Sequence, residues 1–186
     1  MRLKKVNLRS IENLYLPSTL EHLDVSENRL EAKLSNLPVA LRFLDVHLNA
    51  LKGIEVKTEM PHLVTIDASE NRIFSMDNIF LMEDLVALKR LNLQTNWLDN
   101  MDDVEMPPTL RVLNIKDNPM RLRPPTDCSF SPSLTTLYLS DQRLKTHLQN
   151  AGLDRRLNVV LEPRPKCRRE VIAHKVRYVD RFAPIE

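Results

Sequence analysis

Glycine is nearly missing from this chain: Gly53 and Gly152 are the only two in 186 residues. Phosphate-cradling loops need clustered glycines so that the backbone can approach the anion, and two isolated ones cannot build such a loop. Turns must therefore be made with Asn, Asp, Ser and Pro. Cysteine also occurs only twice, at Cys128 and Cys167. That is too few for a disulfide-closed framework, and no C-x-x-C pair is present. A reducing, cytoplasmic location is expected, with cilium or nucleus as other intracellular possibilities. No apolar run approaches the ~18 residues of a membrane span, so no membrane partner is expected. MRLKKVNLRS has no apolar core of the kind a secretory leader carries. H-E-x-x-H and G-x-S-x-G are missing too, and the expectation is that the chain is not an enzyme and uses no cofactor. Packing or partial exposure is the plain reading of both cysteines.

Hydrophobic residues make up 42% of the chain, enough to bury a sizeable core, although aromatics supply only 5%. Charge is unevenly placed. Residues 1–144 hold 17 basic and 20 acidic residues, a net −3, while residues 145–186 hold 10 and 5, a net +5. Neither part is dense enough in charge for a dedicated nucleic-acid binder.

One string, L-x-x-L-x-L/V-x-x-N-x-L, recurs along the chain. It starts at Leu20 (LEHLDVSENRL), Leu41 (LRFLDVHLNAL), Leu63 (LVTIDASENRI), Leu88 (LKRLNLQTNWL) and Leu110 (LRVLNIKDNPM). Two degenerate copies flank these, LKKVNLRSI from Leu3 and LTTLYLSDQRL from Leu134. The seven starts lie 17, 21, 22, 25, 22 and 24 residues apart. Alternating apolar positions send their side chains to one face of a short strand. So short a strand cannot bury that face alone, so neighbouring copies must stack and share a core. The recurring Asn (Asn28, Asn49, Asn71, Asn96, Asn118) follows the strand, where its amide can donate to and accept from buried backbone.

This pattern resembles the leucine-rich-repeat superfamily over roughly residues 3–144. The fold class expected is an α/β solenoid with a parallel concave sheet, a mostly irregular convex side and a helical C-terminal cap. The array should span residues 1–161 in about seven repeats, with LNVVL at 157–161 reading as one last strand, and 162–186 should form the cap segment. Pro17, Pro38, Pro61, Pro107, Pro108 and Pro132 precede strands and disfavour helix there. The longest repeat carries SMDNIFLMEDLVAL, whose Ile79, Met82 and Val86 have helical spacing and predict a short helix. Leu148, Gly152 and Leu153 suggest a further helical turn. In the last segment Val171, Ile172, Val176 and Val179 share one helical face, as a solenoid cover requires. An R-x-x-V-I run and Val179-Asp180 resemble the caps of intracellular arrays in phosphatase regulatory subunits, an axonemal dynein light chain and a spliceosomal protein. LPSTL, LPVAL, PPTL and SPSL instead resemble bacterial effector repeats.

The resemblance implies a scaffold module that binds a protein partner on its concave face, with a subunit of a cytoskeletal or axonemal assembly as one such role. The expected columns are Lys5, His22, Phe43, Thr65, Arg90, Val112, Thr136; then Asn7, Asp24, Asp45, Asp67, Asn92, Asn114, Tyr138; then Arg9, Ser26, His47, Ser69, Gln94, Lys116, Ser140. The candidate partner-binding residues are His22, Asp24, Phe43, Asp45, His47, Leu48, Asp67, Arg90, Asn92, Trp97 and Tyr138, with Phe43, Leu48, Trp97 and Tyr138 as anchors. His22 and His47 beside the aspartates invite a metal site, but they fall about 13 Å apart at ~3.3 Å per residue, too far to share one ion. The alternative is a ribonucleoprotein subunit that uses the basic C-terminal segment; the solvated face of a cap helix explains the same charge.

Overall fold

The computed structural model describes residues 1–31, 34, 36–54, 59–76, 85–99, 106–120, 130–141, 145–146 and 157–162. Seven strands form one sheet: β1 (His22–Asp24), β2 (Phe43–Asp45), β3 (Thr65–Asp67), β4 (Arg90–Asn92), β5 (Val112–Asn114), β6 (Thr136–Leu139) and β7 (Asn158–Leu161). They are all parallel and lie side by side in chain order. Each turn of the chain thus adds one strand, which is the solenoid that the repeat predicts. β7 is the last strand expected from LNVVL.

The core follows from the leucine positions. Leu23, Leu44, Ile66, Leu91, Leu113 and Leu137 point inward from the middle of their strands and are buried, as are Val25, Val46, Ala68, Leu93, Ile115 and Leu139 two residues later. Leu30, Leu51, Ile73 and Leu98, behind the asparagines, close the same core. Truncating one such residue, for example Ile66→Ala, should cost about 2–5 kcal/mol.

The chain enters each strand through one repeated turn. Leu20, Leu41, Leu63, Leu88, Leu110 and Leu134 each donate their N–H to the carbonyl three residues back, at Pro17, Pro38, Met60, Leu85, Pro107 and Ser131. Proline suits these turns because its fixed φ sets the bend. Val86 belongs to this series. It sits in the turn opened by Leu85 and is exposed, so it is not part of the apolar helix face expected of it. Ile79, Met82, the turn around Leu148–Leu153 and, apart from Glu162, the expected cap at 162–186 lie outside the described residues.

The first repeat is shifted from its expected register. Arg2, not Asn7, bridges Asp24. Lys5 and Glu27 take the same left-handed conformation, with φ of 59° and 52°. Leu8 N donates to Asn28 Oδ1, as Leu30 N donates to Asn49 Oδ1. Each pair is 22 residues apart, 24 − 2 for the bridge, so the first period is 22 and not 17. Lys5, Asn7 and Arg9 therefore leave the columns assigned to them, and Arg2 joins the central one.

Candidate functional site

The sheet face away from the core carries two ordered columns. His22, Phe43, Thr65, Arg90, Val112, Thr136 and Asn158 stand in register at the strand starts. Two residues on stand Asp24, Asp45, Asp67, Asn92, Asn114, Tyr138 and Val160. Of the predicted site residues, His22, Asp24, Phe43, Asp45, Asp67, Arg90, Asn92 and Tyr138 share this face. The rings of His22 and Phe43 stack with centroids 4.4 Å apart, and Phe43 remains 39% exposed.

Much of the expected third column does not reach the surface, although Gln94 and Ser140 are only half-buried. Ser26, His47, Ser69 and Lys116 are all buried. Alternation stops because the strands are only three or four residues long and the chain then turns. Glu27, Leu48, Glu70, Thr95 and Asp117 all have φ between 51° and 56°, the left-handed region. The turn swings the preceding side chain back over the central column. Ser26 donates its N–H (3.1 Å) and hydroxyl (2.6 Å) to Asp24 Oδ1, and Ser69 donates likewise to Asp67 Oδ1 (3.0 and 2.6 Å). His47 repeats the motif on Asp45 Oδ1, with its N–H at 3.1 Å and its Nδ1 at 2.6 Å. Gln94 and Lys116 donate their N–H groups to Asn92 and Asn114 in the same way. The Asp/Asn column thus serves the structure itself, closing an Asx-type turn at the end of five strands. The D-x-S/H spacing is the sequence signal of that turn.

Three candidate partner-binding residues are corrected by these turns. His47 is buried, not exposed. Leu48 is half-buried in the left-handed position. Trp97 is 58% exposed but lies past its strand, in the row of residues that follow the asparagines, where the Arg72 guanidinium sits 6.0 Å from its ring. It is not part of either sheet column.

Charges on the face are only partly balanced. Arg2 Nε lies 3.0 Å from Asp24 Oδ2, and Lys4 and Lys5 pair with Glu27 at 3.0 and 3.6 Å. Burial works against the Asp24 charge, but the Ser26 bonds and the Arg2 and Lys4 charges hold its carboxyl below the usual range. Burial pushes Asp67 the other way, and the Asp45 charge adds to it, against the bonds from Ser69 and Asn92. Burial disfavours a charged His47, yet the bond and charge of Asp45, with Asp67 beyond, raise its pKa above that of an ordinary imidazole. Further along, Lys116 is buried, reaches across β6 to Glu162, and passes 6.0 Å from the Tyr138 ring. Sequence reasoning missed this pair because 46 residues separate its partners.

Behind the face runs the asparagine ladder. Asn71 donates from Nδ2 to Val46, Ala68 and Ser69 carbonyls and accepts from Leu51 N–H at 3.0 Å. Asn28, Asn49, Asn96 and Asn118 repeat this pattern, each bonding its own turn and the preceding repeat. The ladder fixes one repeat's register on the next and so keeps the outer columns aligned. Among the described residues, no group of three or more His, Cys, Asp or Glu side chains could hold a metal, and no helix is long and apolar enough to cross a membrane.

The chain is similar to several known proteins. No family model matches the sequence. Toll-like receptor 2 of Bos taurus is 28% identical over 165 residues, covering 78% of this chain. Toll-like receptor 2 type-2 of Gallus gallus is 36% identical over 95 residues, 49% of this chain. The chain spans about a fifth of the length of the first of these relatives, 20% of the bovine receptor. Among solved structures, a Shigella effector LRR domain superposes with a TM-score of 0.56 at 23% identity, over 86% of this chain and 80% of that one. That likeness concerns the fold alone.

Proposed function

Starting from the fact that the chain is a leucine-rich-repeat protein, we propose that it is a non-enzymatic module that takes a protein partner on the concave face of its sheet. The observation that carries this reading is the open face itself. Two columns of side chains are held in register by asparagines and Asx turns behind them, so the surface is ordered before any partner arrives. A preformed surface loses little conformational freedom on binding. Exposed Phe43 beside charged and amide groups gives the mixture of anchor and polar rim that protein interfaces use. The similar Toll-like proteins are receptors by name, which accords with a role in recognition. An intracellular location is proposed with it, on the strength of two cysteines in 186 residues.

The test is capture from cell extract with three baits: the wild-type chain, a sheet-face variant (Phe43→Ser with Val112→Ser), and a connecting-side variant (Tyr15→Ser with Val39→Ser). All four side chains are exposed or half-exposed, so folding should survive. Proteins lost only from the sheet-face bait support the reading. Proteins lost only from the connecting-side bait contradict it.

A further inference from the structure

The three aspartates of the central column differ in one respect. Each uses Oδ1 for its own turn. Asp24 Oδ2 is taken by the Arg2 guanidinium at 3.0 Å, and Asp67 Oδ2 accepts from the Asn92 amide at 3.1 Å. Asp45 Oδ2 has no such partner among the described residues, and the Asp45 side chain is 38% exposed. Two residues before it, on the same face, stands Phe43. His22 covers one side of that ring, while the next strand offers only the short Thr65.

We propose that this part of the face, from β1 to β3, receives an arginine side chain from a loop of the partner protein. The guanidinium binds Asp45 Oδ2 and lies against Phe43 over Thr65. This rests on the concave-face reading above and names the chemistry of its partner. Charge complementarity selects a cation, because Asp45 and Asp67 lie on adjacent strands about 4.8 Å apart, neither is paired with a Lys or Arg among the described residues, and the His47 ring on Asp45 occupies Oδ1 and leaves Oδ2 open. Geometry selects arginine over lysine. The planar guanidinium can bond a carboxylate and stack on a ring together, whereas an ammonium is a compact, strongly hydrated charge. The chain makes both halves of this contact within itself, Arg2 on Asp24 one strand away and Arg72 on Trp97 at 6.0 Å.

The experiment titrates the isotope-labelled full chain with hexapeptides of arginine, lysine or citrulline and follows backbone amide shifts. The shifts should centre on Phe43, Asp45 and Thr65, with arginine binding about tenfold more tightly than lysine and citrulline not binding. Asp45→Asn keeps the turn, since Asn92 and Asn114 already play that part. It should weaken the arginine peptide about fivefold, and so should Phe43→Ala. Asp67→Asn removes the same charge one strand over and should change affinity less than about twofold. Equal losses from Asp45→Asn and Asp67→Asn, or equal binding of arginine and lysine, would overturn the site in favour of a diffuse field. Shifts confined to β4–β6 would overturn the arginine site and leave the concave-face reading standing. Shifts only off the sheet face would remove both.

Discussion

Replacing Asn71 with Ala removes four hydrogen bonds, but they are not of equal weight. The Val46 carbonyl keeps the Asn49 amide at 3.0 Å, the Ala68 carbonyl keeps the Asn96 amide at 2.9 Å, and the Ser69 carbonyl keeps the Leu48 N–H at 3.1 Å. Leu51 N–H is different. Its bond to Asn71 Oδ1 is the one it makes in this turn, and Leu51 is fully buried, so water cannot replace it. One stranded buried donor costs about 1–3 kcal/mol, and the three weakened carbonyls add little because each retains a donor. The expected loss is therefore about 1–3 kcal/mol in urea unfolding followed by circular dichroism. Asn71→Asp should be worse at neutral pH. It places a carboxylate against three carbonyls, and part of the loss should return on acidification. Asn28→Ala should cost less, because Asn28 is half-exposed at the first turn and water can fill its place. A loss below about 0.3 kcal/mol for Asn71→Ala, or an Asn28 variant as damaged as the Asn71 one, would show that the stranded Leu51 donor is not what the ladder protects.

Thr95 is β-branched and sits at φ 55°, so Thr95→Asn should stabilise the fold by about 1 kcal/mol, read as a higher urea midpoint. The raised pKa of His47 means that the fold favours its protonated form. That contribution is complete below its unfolded value of about 6.5 and is lost as pH rises through the folded value. Melting temperature should accordingly fall from pH 6 toward pH 8.5, and His47→Ser, which restores the D-x-S turn, should flatten that slope. Lowered Asp24 and Glu27 act in the other window, adding stability above their unfolded values that is lost as acid protonates them. Glu162→Ala leaves the buried Lys116 ammonium unmatched. It should cost about 1–2 kcal/mol, below the value for a fully buried pair because Glu162 is half-exposed, whereas Lys116→Met should be nearly neutral.

The middle of the fold was legible because leucine period and strand register are one signal. Leu44 and Val46 could only be buried if Asp45 faced out, and Asp45 does. The first repeat is ambiguous in the sequence because LKKVNLRSI offers leucines at Leu3 and Leu8 that fit two phases. The bridge to Arg2 settles the phase, and only a strict 22-residue period would have found it. His47 and Leu48 were misplaced by extending strand alternation past Asp45, where a left-handed residue ends it. That conformation is hard to foresee when Glu, Leu, Thr and Asp occupy it in place of Gly. Residue type alone marks Trp97 as an anchor, but the turn after Asn96 carries it off the sheet. The Lys116–Glu162 pair depends on three successive strands and leaves no local trace.

Whether the partner sits on the sheet face can be read from surface plasmon resonance with the captured protein. Asp45→Asn is the cleaner probe than Asp45→Lys, which would also remove the acceptor of its turn. Asp45→Asn should slow association, Phe43→Ala should speed dissociation, and Tyr15→Ala and Val39→Ala should bind as wild type. Wild-type kinetics for Phe43→Ala and Asp45→Asn, with binding lost on changing Tyr15 or Val39, would place the partner on the connecting side and contradict the sheet-face reading.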